Sequence, residues 1–162
     1  MSQGLVRAAG AVIKKPWGEE RFFDLGGARY GLKKLWIRRG HCLSLQRHRF
    51  KDETILVESG IVLVEARFSD NSEDVSEVAI ACQGEAVRIP AGTVHRFIAY
   101  PYSDATLVEV SNGHPDSDIV RYEVDGRTLG GPLPTEDIVR MFARASRDEW
   151  RSVYEEAGIP WE

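Results

Sequence analysis

The stretch "GHCLSLQRHRFKDETILVESG", Gly40 to Gly60, decides how the chain is read. In an extended strand residues two apart project to one side, so Gln46 and His48 share a face. Glu53 opens the apolar run that follows, and all three side chains carry a donor atom for a metal. Arg47, Arg49 and Lys51 stand between them. The segment is therefore either a wet, charged strand end or half of a metal site. Downstream, "TILVESGIVLVEARF" is two apolar runs separated by a Glu-Ser-Gly turn, which predicts a hairpin of Thr54–Val57 and Ile61–Phe68 about Gly60. Across such a hairpin Glu53 reaches the point that Gln46 and His48 face.

Working outward, short strand-like runs continue on both sides. "YGLKKLWI" (Tyr30–Ile37) follows a Leu-Gly-Gly turn, and "EVAIA", "EAVRI", "HRFIAY" and "ATLVEV" are separated by "QG", "PAG" and "PYSD". Short strands at regular spacing with Gly and Pro turns predict an all-β sandwich or barrel. "SDNSEDVSE" (Ser69–Glu77) is polar and acidic and reads as a loop. Beyond "GRTLGGPLP" the period changes. "TEDIVRMFARA" sets Ile138, Val139, Phe142 and Ala143 on one stripe with Thr135 as N-cap, and Ser146 with Glu149 offers a capping box for a second short helix that Gly158 ends. The expected organisation is a β domain over 1–132 and a helical extension over 133–162.

Composition narrows the class. An apolar fraction of 43% and a charged fraction of 28% over 162 residues are those of a globular domain with a real core. A net charge of −4 argues against nucleic acid as a partner, although the cations are crowded between Lys33 and Lys51. No apolar run reaches the roughly 20 residues of a membrane span and no secretory leader is evident, so a cytoplasmic protein is expected. Cys42 and Cys82 lack the C-x-x-C spacing of a thiolate metal site and read as buried free thiols, with an unforced disulfide between them as the alternative. His41 and His114 read as surface residues.

A second motif completes the first. Gly40 to Gly60 follows G-x5-Q-x-H-x4-E-x6-G, and Gly84 to His95 follows G-x5-P-x-G-x2-H. Together they resemble the two signature motifs of the cupin superfamily, with glutamine in the first histidine slot and Ala99 where asparagine is usual. The resemblance implies a double-stranded β-helix, a jelly-roll-like barrel with a metal in its mouth. Two imidazoles, a carboxylate and an amide oxygen suit zinc, manganese, iron, cobalt or nickel.

"KKPWGEE", "GLKKLWIRRGHCLSLQRH", "VRIPAGTVHRF" and "LVEVSNGHPDSDIVRYEVDGR" narrow the likeness to the type II phosphomannose isomerase cupin, from about Lys14 to Arg127. That resemblance implies one divalent metal, usually zinc, on Gln46, His48, Glu53 and His95, and aldose–ketose isomerisation of mannose 6-phosphate and fructose 6-phosphate. Lys33, Glu109 and Arg121 take catalytic positions, and Arg47, Arg49, Lys51 and Arg96 are candidate contacts for an anionic sugar. An ion pair of Arg121 with Asp118 or Glu123 is the structural alternative, and Trp17 reads as a packing anchor. A homodimer is implied by the resemblance alone. The sequence departs from the family at Lys51 and Ile55, where arginine and tryptophan are usual, and at Ser111, where glutamine is. Those departures keep two alternatives open: another metal cupin enzyme (a dioxygenase or an isomerase of unphosphorylated sugars), and a sugar-binding cupin without catalysis.

Overall fold

Period-two alternation governs the chain from Ala11 to Pro132, and the structure turns it into two facing sheets. It is a computed structural model describing residues 4–68, 76–112 and 118–156. The strands are β1 (Ala11–Lys15), β2 (Gly18–Phe23), β3 (Tyr30–Ile37), β4 (His41–Cys42), β5 (Gln46–His48), β6 (Glu53–Ser59) and β7 (Ile61–Arg67). There follow β8 (Glu77–Cys82), β9 (Ala86–Ile89), β10 (Val94–Ala99), β11 (Ala105–Asn112), β12 (Ile119–Arg121) and β13 (Gly131–Pro132), then one helix, α1 (Thr135–Glu156). One sheet has the order β1-β2-β3-β11-β6-β9. In the other, β10 pairs with β7 and through it β8 on one side, and with β5 and β4 on the other, edged by β12 and β13. All these pairings are antiparallel, the arrangement of a double-stranded β-helix.

The hairpin expected about Gly60 does not form. β6 lies between β11 and β9 in the first sheet, and β7 lies between β10 and β8 in the second. The chain crosses the barrel wall at Gly60 instead. Its φ of 84° is left-handed, and a Cβ there would run into the Asp104 carbonyl and Ala105, so only glycine makes the crossing without strain. Alternation then sorts side chains. On β10, Phe97 and Ala99 join the interior with Leu35, Ile37, Ile55, Val57, Val62, Val64, Ala105 and Leu107, while Ile98 points outward beside Leu63. Each such aliphatic side chain contributes on the order of 1.5–3 kcal/mol by leaving water.

The helical region also differs from expectation. Residues 135–156 form one continuous helix; Ser146 continues it rather than opening a second, and Gly158 lies outside the described residues. The amides of Asp137 and Ile138 both donate to the Pro134 carbonyl, so Pro134 takes the capping position expected of Thr135. The buried face is Ile138, Phe142 and Ala145 with Met141 at its edge, whereas Val139 and Ala143 are exposed. That i, i+4, i+7 stripe covers the outward residues of the second sheet, with Phe142 edge-on to Tyr100 at 5.0 Å between ring centroids. Glu149 Oε1 accepts the Ile80 amide at 3.2 Å and ties the helix to β8. No helix among the described residues is long and apolar enough to cross a membrane. Residues 69–75 of the expected acidic loop and His114 lie outside the described residues. Both cysteines are free; Cys42 is buried as expected, but Cys82 is exposed at the end of β8.

The two helix faces can be told apart by substitution. Ile138→Ala is expected to cost about 2–5 kcal/mol of unfolding free energy by opening a cavity under α1. Val139→Ala should stay within about 0.5 kcal/mol, as exposed positions do. Urea denaturation of both variants checks the assignment.

Candidate functional site

At one end of the barrel the interior turns from apolar to charged. On β10, His95 precedes Phe97 on the inward face and stacks tilted against it at 5.6 Å. Across the barrel, Glu53 opens β6, and β5 contributes Gln46 and His48; the register sets His95 opposite Gln46. Glu53 thus reaches the others across the barrel interior, from the facing sheet, rather than across a hairpin. His48, Glu53 and His95 are each at most 2% exposed.

Both imidazoles are fixed from behind. His48 Nδ1 donates to Asp118 Oδ1 at 2.9 Å, and His95 Nδ1 donates to the Thr93 carbonyl at 3.0 Å. A carbonyl and a carboxylate only accept, so each ring carries a proton on Nδ1, and a neutral ring turns an Nε2 lone pair inward. Burial holds the His48 pKa below its ordinary value, against the pull of Asp118, and keeps that ring neutral. His48 Nε2 lies 3.5 Å from Glu53 Oε1, and His95 Nε2 lies 3.2 Å from Glu53 Oε2. His95 Nε2 is buried without an aligned hydrogen bond. Each Nε2 thus stands close enough to a Glu53 oxygen to share a cation with it.

Those separations suit a divalent ion. Two donors held at about 2.1 Å from one ion with angles of 90–109° stand about 3.0–3.4 Å apart. The Asp118 and Thr93 acceptors behind the rings are the outer partners that metal-binding imidazoles ordinarily have. Gln46 is half-buried beside them, its Oε1 accepting from Ser44 Oγ at 2.8 Å. The donor set fits the metal. Among the described residues, however, no group of three or more His, Cys, Asp or Glu side chains already stands around a common point.

The cation nearest these donors belongs to the chain itself. Lys51 Nζ, buried, lies 2.5 Å from Glu53 Oε1 and 2.6 Å from Glu109 Oε1. Burial opposes the charge on Lys51, but the two carboxylates overrule it and push its pKa up. Burial likewise works to raise Glu53, and the contacts with His95 and Lys51 outweigh it, holding that carboxyl at about 2. Glu109 shifts the other way: its burial and the neighbouring Glu53 charge push it up, with Lys51 and Lys33 acting against them.

A cavity of about 220 Å³ opens beside this cluster, lined by Gln46, His48, Lys51, Glu109, Lys33 and Arg121 and closed by Trp17 and Leu35. The β1–β2 hairpin adds Lys14, Lys15 and Glu20, with Lys15 and Lys33 lying 3.6 and 3.7 Å from Glu20. A second, more apolar hollow of about 470 Å³ adjoins it across Glu20, Lys33 and Lys51, walled by Phe22, Phe23, Leu25 and Tyr30. The expected catalytic positions Lys33, Glu109 and Arg121 therefore come together. So do Gln46, His48 and Lys51, while Glu53 and His95 lie just behind the wall. The three arginines expected to meet an anion do not line the cavity. Arg47 follows Gln46 on the opposite strand face, Arg49 is exposed over the Phe50 ring at 5.9 Å, and Arg96 points outward to Glu65 at 2.6 Å. Asp118 faces His48 rather than Arg121, and Trp17 is buried in the core as expected.

The sequence reading missed Asp118, Thr93, Lys14, Lys15 and Glu20 as site residues. The alternation of β1 and β2 was there to be read in "AVIKKPWGEERFF", but its place along the edge of β3 depends on pairing, which period alone does not give.

The family described as Mannose-6-phosphate isomerase C-terminal matches residues 6–124. The chain belongs to this family. Alginate biosynthesis protein AlgA of Pseudomonas syringae pv. tomato is 29% identical over 133 residues, covering 79% of this chain and 26% of its own length. Xanthan biosynthesis protein XanB of Xanthomonas campestris pv. campestris is 31% identical over 119 residues, 72% of this chain and 24% of its own. The chain spans about a quarter of the length of these relatives. Among solved structures, the capsular polysaccharide assembling protein CapF from Staphylococcus aureus superposes with a TM-score of 0.63 at 21% identity, over 72% of this chain and 35% of that one. Oxalate decarboxylase from Bacillus subtilis does so at 0.64 and 13% identity, over 75% and 32%. These two likenesses carry the fold, the cupin barrel. The mannose-6-phosphate isomerase C-terminal match encloses every inward donor described above and ends before α1.

Removing the ammonium from the buried cluster leaves two carboxylates facing each other. Lys51→Met is expected to cost about 3–5 kcal/mol, as breaking a buried ion pair does. Adding Glu109→Gln to it should recover a substantial part, and thermal and urea unfolding of the single and double variants measure both.

Proposed function

We propose that this cupin is a metal-dependent isomerase of a small phosphorylated sugar, interconverting an aldose with its ketose as mannose 6-phosphate and fructose 6-phosphate do. The observation that carries the proposal is the cavity, where the cations Lys14, Lys15, Lys33 and Arg121 surround Glu20 and Glu109 directly beside Gln46 and His48. Its volume lies below the ~300–1,000 Å³ of pockets for drug-sized ligands, which favours a small polar substrate. The family match to Mannose-6-phosphate isomerase C-terminal supports the same reaction class.

In this reading the cationic wall receives the phosphate, with exposed Arg121 at the mouth offering a planar fork to its oxygens. The isomerisation moves one proton from C2 to C1 of the open-chain aldose through an enediol, while a hydroxyl proton returns to the other oxygen. Glu109, lining the cavity with a carboxyl that burial pushes up from its ordinary pKa, is the group suited to carry that proton. Lys33, directly across the strand pair from Glu109 and with its ammonium held near Glu20, orients the sugar oxygens. A divalent ion on His48, Glu53 and His95, with Gln46 alongside, would supply stabilisation of the negative charge that develops on those oxygens. Trp17 and Leu35 close the cavity floor against water.

The experiment is an isomerase assay on mannose 6-phosphate before and after chelation, with metal analysis of the purified protein. Chelator-sensitive turnover is expected. Glu109→Gln should lower kcat about 10²–10⁴-fold with KM little changed. Arg121→Ala should instead raise KM. Full activity in the His48→Ala, His95→Ala double variant overturns the proposal.

A further inference from the structure

Lys51 has a position that substrate binding does not explain. It precedes Glu53 by two residues, is buried, and presses its ammonium onto Oε1, the carboxylate oxygen that faces His48 Nε2. Oε2 of the same carboxylate faces His95. Both oxygens that a metal would need therefore face an imidazole, and one of them already holds a cation. An ion drawn to His48, Glu53 and His95 would come within about 4–5 Å of that ammonium, since metal–oxygen bonds are about 2.1 Å long, and two positive charges so close repel strongly at low dielectric. Glu109 offers the ammonium an alternative seat, its Oε1 being 2.6 Å away on the cavity side.

We infer that Lys51 is a built-in competitor for the metal: its ammonium neutralises Glu53 in the metal-free barrel and withdraws to Glu109 when a divalent cation binds. The inference rests on the metal-site reading above and adds a role for this chain's own lysine. It also makes the metal-free barrel a stable state, since the buried carboxylate is never left without a cation. The consequence is an ion held more weakly than the donor set alone would allow, and a lysine that moves into the substrate cavity as the ion arrives.

The test compares Zn²⁺ and Mn²⁺ affinity, by competition with a chromophoric chelator, in the wild type and in the charge-balanced Lys51→Met, Glu109→Gln double variant. Tenfold or greater tightening is expected in the variant, together with a larger rise of its melting temperature on adding metal. Glu53→Gln, added to either protein, should abolish the binding. Affinities equal within threefold, with both proteins binding, overturn the role of Lys51 and leave the metal site standing. No binding in either protein overturns the metal site and this inference together. A second measurement uses the wild type alone, should the variant not fold. The chain has five lysines, so selective labelling of their Cε atoms gives few signals. Titration with Zn²⁺ is expected to shift the Lys51 signal and leave that of Lys34, paired outside the barrel with Glu58, in place. An unmoved Lys51 signal in the zinc-loaded protein overturns the inference.

Discussion

A carboxylate taken almost wholly out of water must be given charge partners, and Glu53 is where this barrel meets that demand. Desolvating an ion costs several kcal/mol even after the protein relaxes around it, so a bare Glu53 would take up a proton or unfold the strand end. The structure surrounds it with His48, His95 and Lys51, and sets the Glu109 carboxylate on the far side of the lysine. The surrounding architecture follows from holding those groups in place. Asp118 and Thr93 fix the imidazoles, β10 and β6 face each other across the interior, and Phe97 fills the barrel directly beneath.

The geometry also separates two jobs that sequence alone merges. The run from Gln46 to Glu53 carries donors and cations interleaved, and on paper every cation is equally able to meet an anionic ligand. Alternation divides them: Gln46 and His48 turn in, Arg47 turns away, and Arg49 stays in solvent. Of that cluster only Lys51 enters, because it belongs to the loop before β6 rather than to the strand. The other cations that line the cavity come from farther off, on β1, β3 and β12.

Much of the barrel was readable in advance, for a physical reason. β3, β8, β10 and β11 carry β-branched and aromatic runs bounded by Gly and Pro, and their limits fall within a residue or two of the expected ones. What period two cannot say is which strand lies beside which. For that reason Gly60 was read as the turn of a hairpin when it is the point where the chain passes from one sheet to the other. The helix forms where expected, but its buried face differs for a related reason. Ile138, Val139, Phe142 and Ala143 form a legitimate apolar stripe, but the sheet that α1 covers presents Leu63 and Ile98, and these select Met141 and Ala145 instead. The donors were legible because their spacing carries them: two residues for Gln46 and His48, and a Pro-x-Gly turn before His95. Asp118 and Lys15 carry no such spacing, and their contribution is fixed by pairing alone.

The pairing of β3 with β11, which sets Tyr30 against Asn112, has a consequence for how the molecule comes into being. β11 is the strip that joins β3 to β6, so the first sheet stays in two pieces until residue 112 has been made. A nascent chain therefore carries Glu53 on a strand that lacks its β11 neighbour until β11 has been made. Loop closure over such separations is slow, and exposed edges in the interval invite pairing with other chains. The buried charges postpone collapse in the same interval, since Glu53, Lys51 and Glu109 become compatible with a dry interior only when β11 brings the last of them. Assembly of the buried charge cluster is thus coupled to completion of the sheet, because Glu109, the second carboxylate on Lys51, arrives only with β11.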